Sequence, residues 1–429
     1  MELTIGAVLL ALFFTLLLLN VPIAVSLGLS TMATMFLFDL PTDIYADVVF
    51  AGLSPVTLLA IPFFIFAGVL MDRSGASEKI MRFATLVIGP IPGGLAIASI
   101  VITMFWGALS GSGPATVAAL GSVLIPAMVK NGYDPGFAAA LVAASGGIAI
   151  IIPPSINLVV FGAIAGESIG TLFIAGIVPG ILMGLCFILY AFLYSLKRGY
   201  RGTAYGSPRE IFQAFKEAFW GLLTPVIILG GIYGGVFTPT EAAVVAVAYS
   251  LFLGLVVYRK FDIHDLWRVS AEAGVGSATI MIIIANASVL TWLVNAEGIA
   301  VAVSQTLLSN VSNALLMIGI VELVLLIAGF FLDAISIEYI FIPLFLPVIK
   351  ALGLHPIWFG VVLTMAIAIG FCTPPVAVNL FPACRIAGIE LAVISRSIVW
   401  FIVAGIAALA IVTAFPESIL WVPRALGML

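Results

Sequence analysis

The chain has 429 residues, 63% of them hydrophobic and 8% charged, with a formal net charge of −4. A soluble domain carries about 25% charged residues, so there is too little polar side chain here to cover a water-soluble globule, and the natural solvent is lipid. Basic residues form no long stripe, which excludes a nucleic-acid partner.

In a bilayer every backbone N–H and C=O must be paired internally, which leaves helices or closed barrels. Barrel strands alternate in polarity over ~10 residues, whereas runs such as 5–19 and 172–196 are apolar without alternation. The expected fold is therefore an all-α polytopic membrane protein. The first run, 3–19, has no basic segment before it and no cleavage site after it, so it reads as a retained span rather than a signal peptide. Spans at 22–38 and 48–71 follow. The next stretch, 93–130, is too long for one crossing of about 20 residues. It is broken in its middle by Ser110-Gly111-Ser112-Gly113-Pro114-Ala115-Thr116 and reads as a re-entrant hairpin. Spans at 136–165, 171–196, 218–237, 241–258 and 272–296 come next, then a second long interrupted stretch at 312–350, then spans at 357–384 and 391–414. The expectation is about ten transmembrane helices and two re-entrant hairpins.

Arg and Lys test this layout, because they concentrate on the cytoplasmic side. With two hairpins, Arg73, Lys79, Arg82, Lys130, Lys197, Arg198, Arg201, Arg209, Lys216, Arg259, Lys260, Arg268 and Arg385 share one face. Lys350 and Arg424 remain on the other, and both termini fall outside. The halves also repeat: a shift of 221 places Pro126, Gly132, Pro135, Pro153 and Pro154 on Pro347, Gly353, Pro356, Pro374 and Pro375. Each half has five spans and one hairpin and enters the membrane from the opposite side, the inverted-topology repeat of secondary transporters, whose sites lie near the midplane.

The breaks carry the candidate chemistry. At the first tip, Ser110, Gly111 and Ser112 offer hydroxyls and freed carbonyls, hard oxygen ligands suited to an alkali cation, with Thr116 beside them as a substrate contact. The structural alternative is a close contact of small residues. The shift places Asp333 on Ser112, and a carboxylate at that depth costs ~2.5–3.5 kcal/mol on insertion scales. Its retention suggests a cation or proton partner, the alternative being a hydrogen-bonded structural acid. Ser336 beside it is a substrate contact, and Glu322 and Glu338 are further acids on the two arms. The doubled prolines Pro153-Pro154 and Pro374-Pro375 remove N–H donors in mid-span, so each break should face its own hairpin tip and form an oxygen-rich site. Pro153, Ser155, Gly370 and Thr373 are the cation-site candidates there, and Asn157 is a substrate contact. An alkali cation is the expected coupling ion, with Ser110, Ser112, Asp333 and Thr373 as its side-chain ligands. Asn286, in mid-span, is either a substrate contact or helix–helix glue. Trp292, Trp358 and Trp421 read as interfacial anchors. Cys186, Cys372 and Cys384 lack metal-ligand spacing and read as small apolar residues.

The segments GALSGSGPATVAALGSVLIP (107–126), AASGGIAIIIPPSINLVVFG (143–162) and AGIVPG (175–180), with LLAIPFFIFAG (58–68) and IGFCTPPVAVNLF (369–381), resemble the large membrane subunit of tripartite ATP-independent periplasmic (TRAP) transporters nearly end to end. The resemblance implies a sodium-driven elevator importing an organic acid, such as sialic acid or a C4-dicarboxylate. It implies two partners, a small four-helix membrane subunit and a periplasmic binding protein, and the bacterial inner membrane as location. It divides the chain into scaffold helices (1–71 and 218–296) and two halves of a transport region. The first half, 93–196, holds hairpin 93–130 and broken helix 136–165; the second, 312–414, holds hairpin 312–350 and broken helix 357–384. Two repeats consume the length, so the small subunit is expected as a separate chain. An intramembrane protease would need a buried Ser–His pair, paired aspartates or a metal site, yet the only histidines, His264 and His355, fall in loops. A channel would want a continuous pore rather than paired hairpins. The remaining alternative is an ion-coupled anion transporter of similar architecture with no periplasmic partner.

Overall fold

The computed structural model describes residues 1–202, 206–262, 264–311 and 313–429; the first residue of the 312–350 stretch and part of the basic 197–216 loop lie outside the described residues. The described residues form helices joined by short turns, with no strand among them. In the first half these are α1 (Glu2–Leu18), α2 (Ile23–Leu37), α3 (Tyr45–Leu53), α4 (Ala60–Arg73), α5 (Ala76–Ile88), α6 (Gly94–Ser110), α7 (Gly113–Lys130), α8 (Pro135–Ile148), α9 (Ile156–Ala165) and α10 (Ile169–Arg198). In the second they are α11 (Pro208–Tyr233), α12 (Pro239–Phe252), α13 (Asp265–Ala296), α14 (Ile299–Asn310), α15 (Ala314–Ala328), α16 (Ala334–Ala351), α17 (Pro356–Gly370), α18 (Leu380–Ala387), α19 (Leu391–Ala414) and α20 (Glu417–Ala425).

Eight of these segments are long and apolar enough to cross a membrane unaided, α7 and α16 among them. Those two are the return arms of the hairpins, so six are through-going. The other four expected crossings are α1, α2 and the broken pairs α8/α9 and α17/α18, whose pieces are each shorter. The chain is thus a multi-pass, all-α membrane protein with two hairpins, as the hydropathy runs predict.

The 221-residue repeat extends far beyond the prolines that reveal it. Both ends of α7 map onto the ends of α16, and α5, α6, α8, α9 and α10 map within a few residues onto α14, α15, α17, α18 and α19. Even the caps correspond: Asp134 and His355 each accept a hydrogen bond from the first turn of the helix that opens with Pro135 or Pro356. The repeat is inverted. The base of hairpin α6/α7 lies with the basic loops, where the Gly93 N–H donates to the Tyr200 carbonyl (3.2 Å) and the Asp134 N–H to the Tyr200 hydroxyl (3.0 Å). The ion pairs Arg73–Glu272, Arg82–Glu217 and Lys260–Glu78 (2.8, 3.0 and 3.4 Å) join loops on that same face. Exposed pairs of this kind add little stability, but they locate the loops. The base of hairpin α15/α16 gathers instead Lys350, Gly353 and His355 against Pro416, Glu417 and Arg424.

The core sits where the repeats meet. Residues 136–148 of α8 and 357–370 of α17 are buried throughout. These two helices start from opposite faces, and their C-terminal ends touch: a Cβ on Gly147 would lie 2.8 Å from the Ala368 carbonyl oxygen. Glycine and alanine allow that approach, as small residues do wherever helices pack in lipid.

Three helices have no counterpart among the expected spans. α5, α14 and α20 are short, and α5 begins at left-handed Gly75 and α14 at left-handed Gly298, so each turns away from the helix before it. α5 carries Glu78, Lys79 and Arg82 beside an apolar face packed on α6 and α11. Trp358 is a correction: it is fully buried, its indole N–H donating to the Val412 carbonyl (3.3 Å), because α17 is a central helix whose start is covered by α19 and α20.

Candidate functional site: two helix breaks and a cleft

α6 stops at Ser110 because Gly111 takes a left-handed conformation (φ 59°) and Ser112 is extended, after which Gly113-Pro114 starts α7. Proline at a first turn loses only an N–H that has no helical partner. The Ser110 and Thr116 hydroxyls bond each other across the turn at 2.5 Å, and Ser110 Oγ also donates to the Ser112 carbonyl (3.3 Å). This tip rests on the first break. A Cβ on Gly111 would lie 3.2 Å from the Pro154 carbonyl oxygen and 3.3 Å from the Ile156 nitrogen. Within the break, Ser155 caps α9 by accepting from the Leu158 N–H (3.3 Å) and donates its own proton to the Ile150 carbonyl. The Pro153–Pro154 and Pro374–Pro375 bonds are both cis.

The second corner follows the same plan with different side chains. Hairpin α15/α16 turns at 329–333, and Gly329 touches Gly370 at the end of α17, where a Cβ on Gly370 would lie 2.6 Å from the Gly329 Cα. Asp333 caps α16: its carboxylate accepts from the Ser336 N–H (3.2 Å) and from the Ser336 hydroxyl. Thr373 Oγ1 donates to the Ile369 carbonyl (2.8 Å). Each hairpin tip therefore meets its own break, as the repeated prolines predict.

The corners are also knitted together. Asn379, just beyond the second break, donates through Nδ2 to the Ala143 carbonyl (3.1 Å), which also accepts from the Cys372 thiol (3.3 Å). Asn379 Oδ1 is buried without a partner and faces the start of α7, 3.1 Å from where a Gly113 Cβ would stand. An unpaired buried oxygen beside hydroxyls and freed carbonyls is the donor chemistry a small hard cation requires. Asn157 lies on α9 and donates to Glu338 Oε1 of α16 (3.1 Å), linking the first break to the second hairpin.

Of the predicted residues, Ser110, Gly111, Ser112, Thr116, Pro153 and Ser155 thus gather at the first corner. Asp333, Ser336, Gly370 and Thr373 gather at the second. Asn286 sits apart from both: its amide oxygen accepts from the Tyr45 hydroxyl of α3 (3.0 Å), its nitrogen donates to Ile282 of its own helix (2.9 Å), and it packs against Gly28 of α2. Asn379 is the residue whose contribution the sequence understates; its only signal is a lone amide just past Pro374-Pro375.

A cleft of about 650 Å³ leads from the first tip toward the basic face. Its walls are α4 (Ile65, Gly68, Asp72), α13 (Glu272, Gly276, Ile280) and the outer side of hairpin α6/α7, and Ser110 and Ser112 both line its inner end. Along α7 the lining residues are Ala115, Ala118, Ala119, Ser122 and Val123, four of the five being alanine or serine. That spacing is one helix face, and small side chains on it leave the cleft open.

Comparison with known proteins matches residues 10–418 to the family described as "Tripartite ATP-independent periplasmic transporter, DctM component". The chain is 40% identical over 405 residues to the C4-dicarboxylate TRAP transporter large permease protein of Pseudomonas aeruginosa, covering 94% of this chain and 95% of that one. It is 41% identical over 406 residues to the isethionate TRAP transporter permease of Oleidesulfovibrio alaskensis, covering 94% of this chain and 64% of that longer protein. It is 35% identical over 379 residues to the sialic acid TRAP transporter large permease of Vibrio cholerae, with 88% and 89% covered. Among solved structures, the YdaH transporter of Alcanivorax borkumensis shares the fold, with a TM-score of 0.59, 13% identity and 88% of each chain covered. The family profile over nearly the whole chain, together with these permease relatives, makes the chain a DctM component of the TRAP transporter family, a transporter subunit and not an enzyme.

Proposed function

We propose that the chain imports an organic acid across the bacterial inner membrane by sodium symport. A periplasmic binding protein hands over the substrate, and a small four-helix membrane subunit completes the scaffold. The observation carrying this reading is the pairing of each hairpin tip with a proline break beside a cleft that ends at the tip serines. Ser110, Ser112 and the Asn379 amide oxygen at one corner, and Asp333 and Thr373 at the other, offer oxygen donors of the kind sodium prefers. α7 and α9 both begin at the first corner, so their positive ends favour an anion there. The acids Asp72 and Glu272 stand toward the basic face, where they do not oppose it. A carboxylate or sulfonate beside a bound cation fits that field, and the relatives are named as transporters of isethionate, C4-dicarboxylates and sialic acid.

In this reading residues 93–196 and 312–414 move as an elevator against 1–71 and 218–296, and the cleft between α7 and α4/α13 is the cytoplasmic route. The complete transporter, reconstituted in vesicles, tests it. Uptake of succinate, isethionate or sialic acid should require the binding protein and should vanish when choline replaces sodium at constant pH. Uptake that survives choline overturns sodium coupling, and uptake without the binding protein favours a partner-free anion transporter.

A further inference from the structure

Glu338 lies on α16, five residues past Asp333, and is completely buried. One carboxyl oxygen accepts from Asn157 Nδ2 (3.1 Å); the other has no hydrogen-bond partner. Among the described residues it forms no ion pair. The sequence has no Lys, Arg or His between Arg268 and Lys350, nor between Lys130 and Lys197. The elements packed on α16 are α9, α13, α14, α15 and α17. α9, α14 and α17 carry no ionisable side chain, and α13 has none between Glu272 and Glu297. α15 supplies Glu322, already bonded by the Thr413 hydroxyl of α19. On α16 itself stand Tyr339 and, at the far end, Lys350, with Asp333 at the cap.

An ionised carboxylate with one neutral hydrogen bond and no countercharge is costly in so dry a place, and such a group neutralises by taking a proton. A metal cation is the weaker answer, because hard cations gather several oxygens, whereas the hydrogen-bonded contact here is the Asn157 amide alone. Nor is the acid required by packing. Subtracting the repeat offset of 221 places Val117 at the position of Glu338, and adding it places Val378 at the position of Asn157. The symmetry-related corner, where α7 packs on α18, is therefore built with valine at both positions.

We propose that Glu338 is a proton-binding site of the transport cycle. The carboxylic acid holds its proton while the Asn157–Glu338 contact is dry, and releases it to water, as carboxylate plus H⁺, when the sliding of the transport region admits water there. Proton movement then accompanies substrate movement alongside the coupling cation. This inference rests on the transport activity proposed above.

The test uses the complete transporter in vesicles containing a trapped pH dye, with the sodium gradient fixed and the membrane potential clamped. Wild type should show a substrate-dependent change in lumenal pH, and Glu338→Gln, which fills the same volume without an exchangeable proton, should lose it. Infrared difference spectra of the purified protein on addition of sodium and substrate give a readout that needs no turnover. A band from a protonated carboxylic acid should appear in wild type and be absent from E338Q and from the double variant Glu338→Val/Asn157→Val, which copies the symmetry-related corner. Substrate uptake by wild type with no pH change, or an acid band that survives in E338Q, overturns the proposal. Wild-type vesicles that take up none of the substrates count instead against the transport activity itself.

Discussion

Asp333 does two things at once, and a single substitution separates them. Its carboxyl group caps α16 and, in the proposed cation site, supplies the negative charge of the second corner. Asparagine caps a helix about as well as aspartate but carries no charge. Asp333→Asn should therefore leave membrane abundance near wild type while raising the sodium concentration for half-maximal uptake about tenfold or more, since a hydrogen bond or ligand contact to a charged group is worth ~1.5–3 kcal/mol. Unchanged sodium dependence would remove Asp333 from the cation site. Gly370 poses a different kind of constraint. A methyl group there would meet backbone, the Cα of Gly329 at 2.6 Å, so nothing flexible is free to yield. Gly370→Ala should push hairpin α15/α16 off its break, costing about 1–3 kcal/mol as overpacking does. A lowered midpoint of thermal unfolding in detergent and lost uptake are the expected readings; wild-type values for both would show that the contact is looser than the geometry states.

Helix α7 shows how one element serves two purposes. Gly113 and Thr116 face inward to the breaks, while Ala115, Ala118, Ala119 and Ser122 line the cleft. Ala118 is exposed within that lining, so Ala118→Trp adds bulk where no core packing is disturbed. The variant should fold and assemble with a thermal midpoint within a few degrees of wild type, because exposed substitutions change stability by about 0.5 kcal/mol or less, yet it should take up little substrate. Full uptake by this variant would mean that substrate travels elsewhere. The hairpins and proline breaks were legible in the sequence because glycine and proline act locally, through φ preference and a missing N–H. The short helix α5 was not: its interleaved charges resemble a loop, and only packing on α6 and α11 makes an amphipathic helix of it.

At the scale of the molecule, two groups of helices meet along the cleft, and the elevator reading requires them to slide. Cysteines at Ser122 of α7 and Gly276 of α13, with Cys186, Cys372 and Cys384 replaced, can be tied by a bifunctional maleimide across the cleft. Cross-linking should stop uptake, and reduction of a cleavable linker should restore it; transport by the tied protein would exclude sliding at this boundary. Much of this architecture follows from sequence terms that add along the chain. Hydropathy set the solvent and the ten crossings, the Arg and Lys bias set the faces, and the 221-residue offset declared two inverted halves. Each is a property of residue type and position, readable without knowing any neighbour in space. What the tertiary structure alone decided are the meetings between distant residues. Asn157 reaches Glu338, 181 positions away, and Asn379 reaches Ala143, 236 positions away. The same packing set Asn286 against Tyr45 and away from both breaks, buried Trp358, and left a cleft on one side of α7. Such pairs depend on how whole helices stack, and because contacts in lipid are selected by shape and by single hydrogen bonds rather than by hydrophobicity, no periodic pattern in the sequence records them.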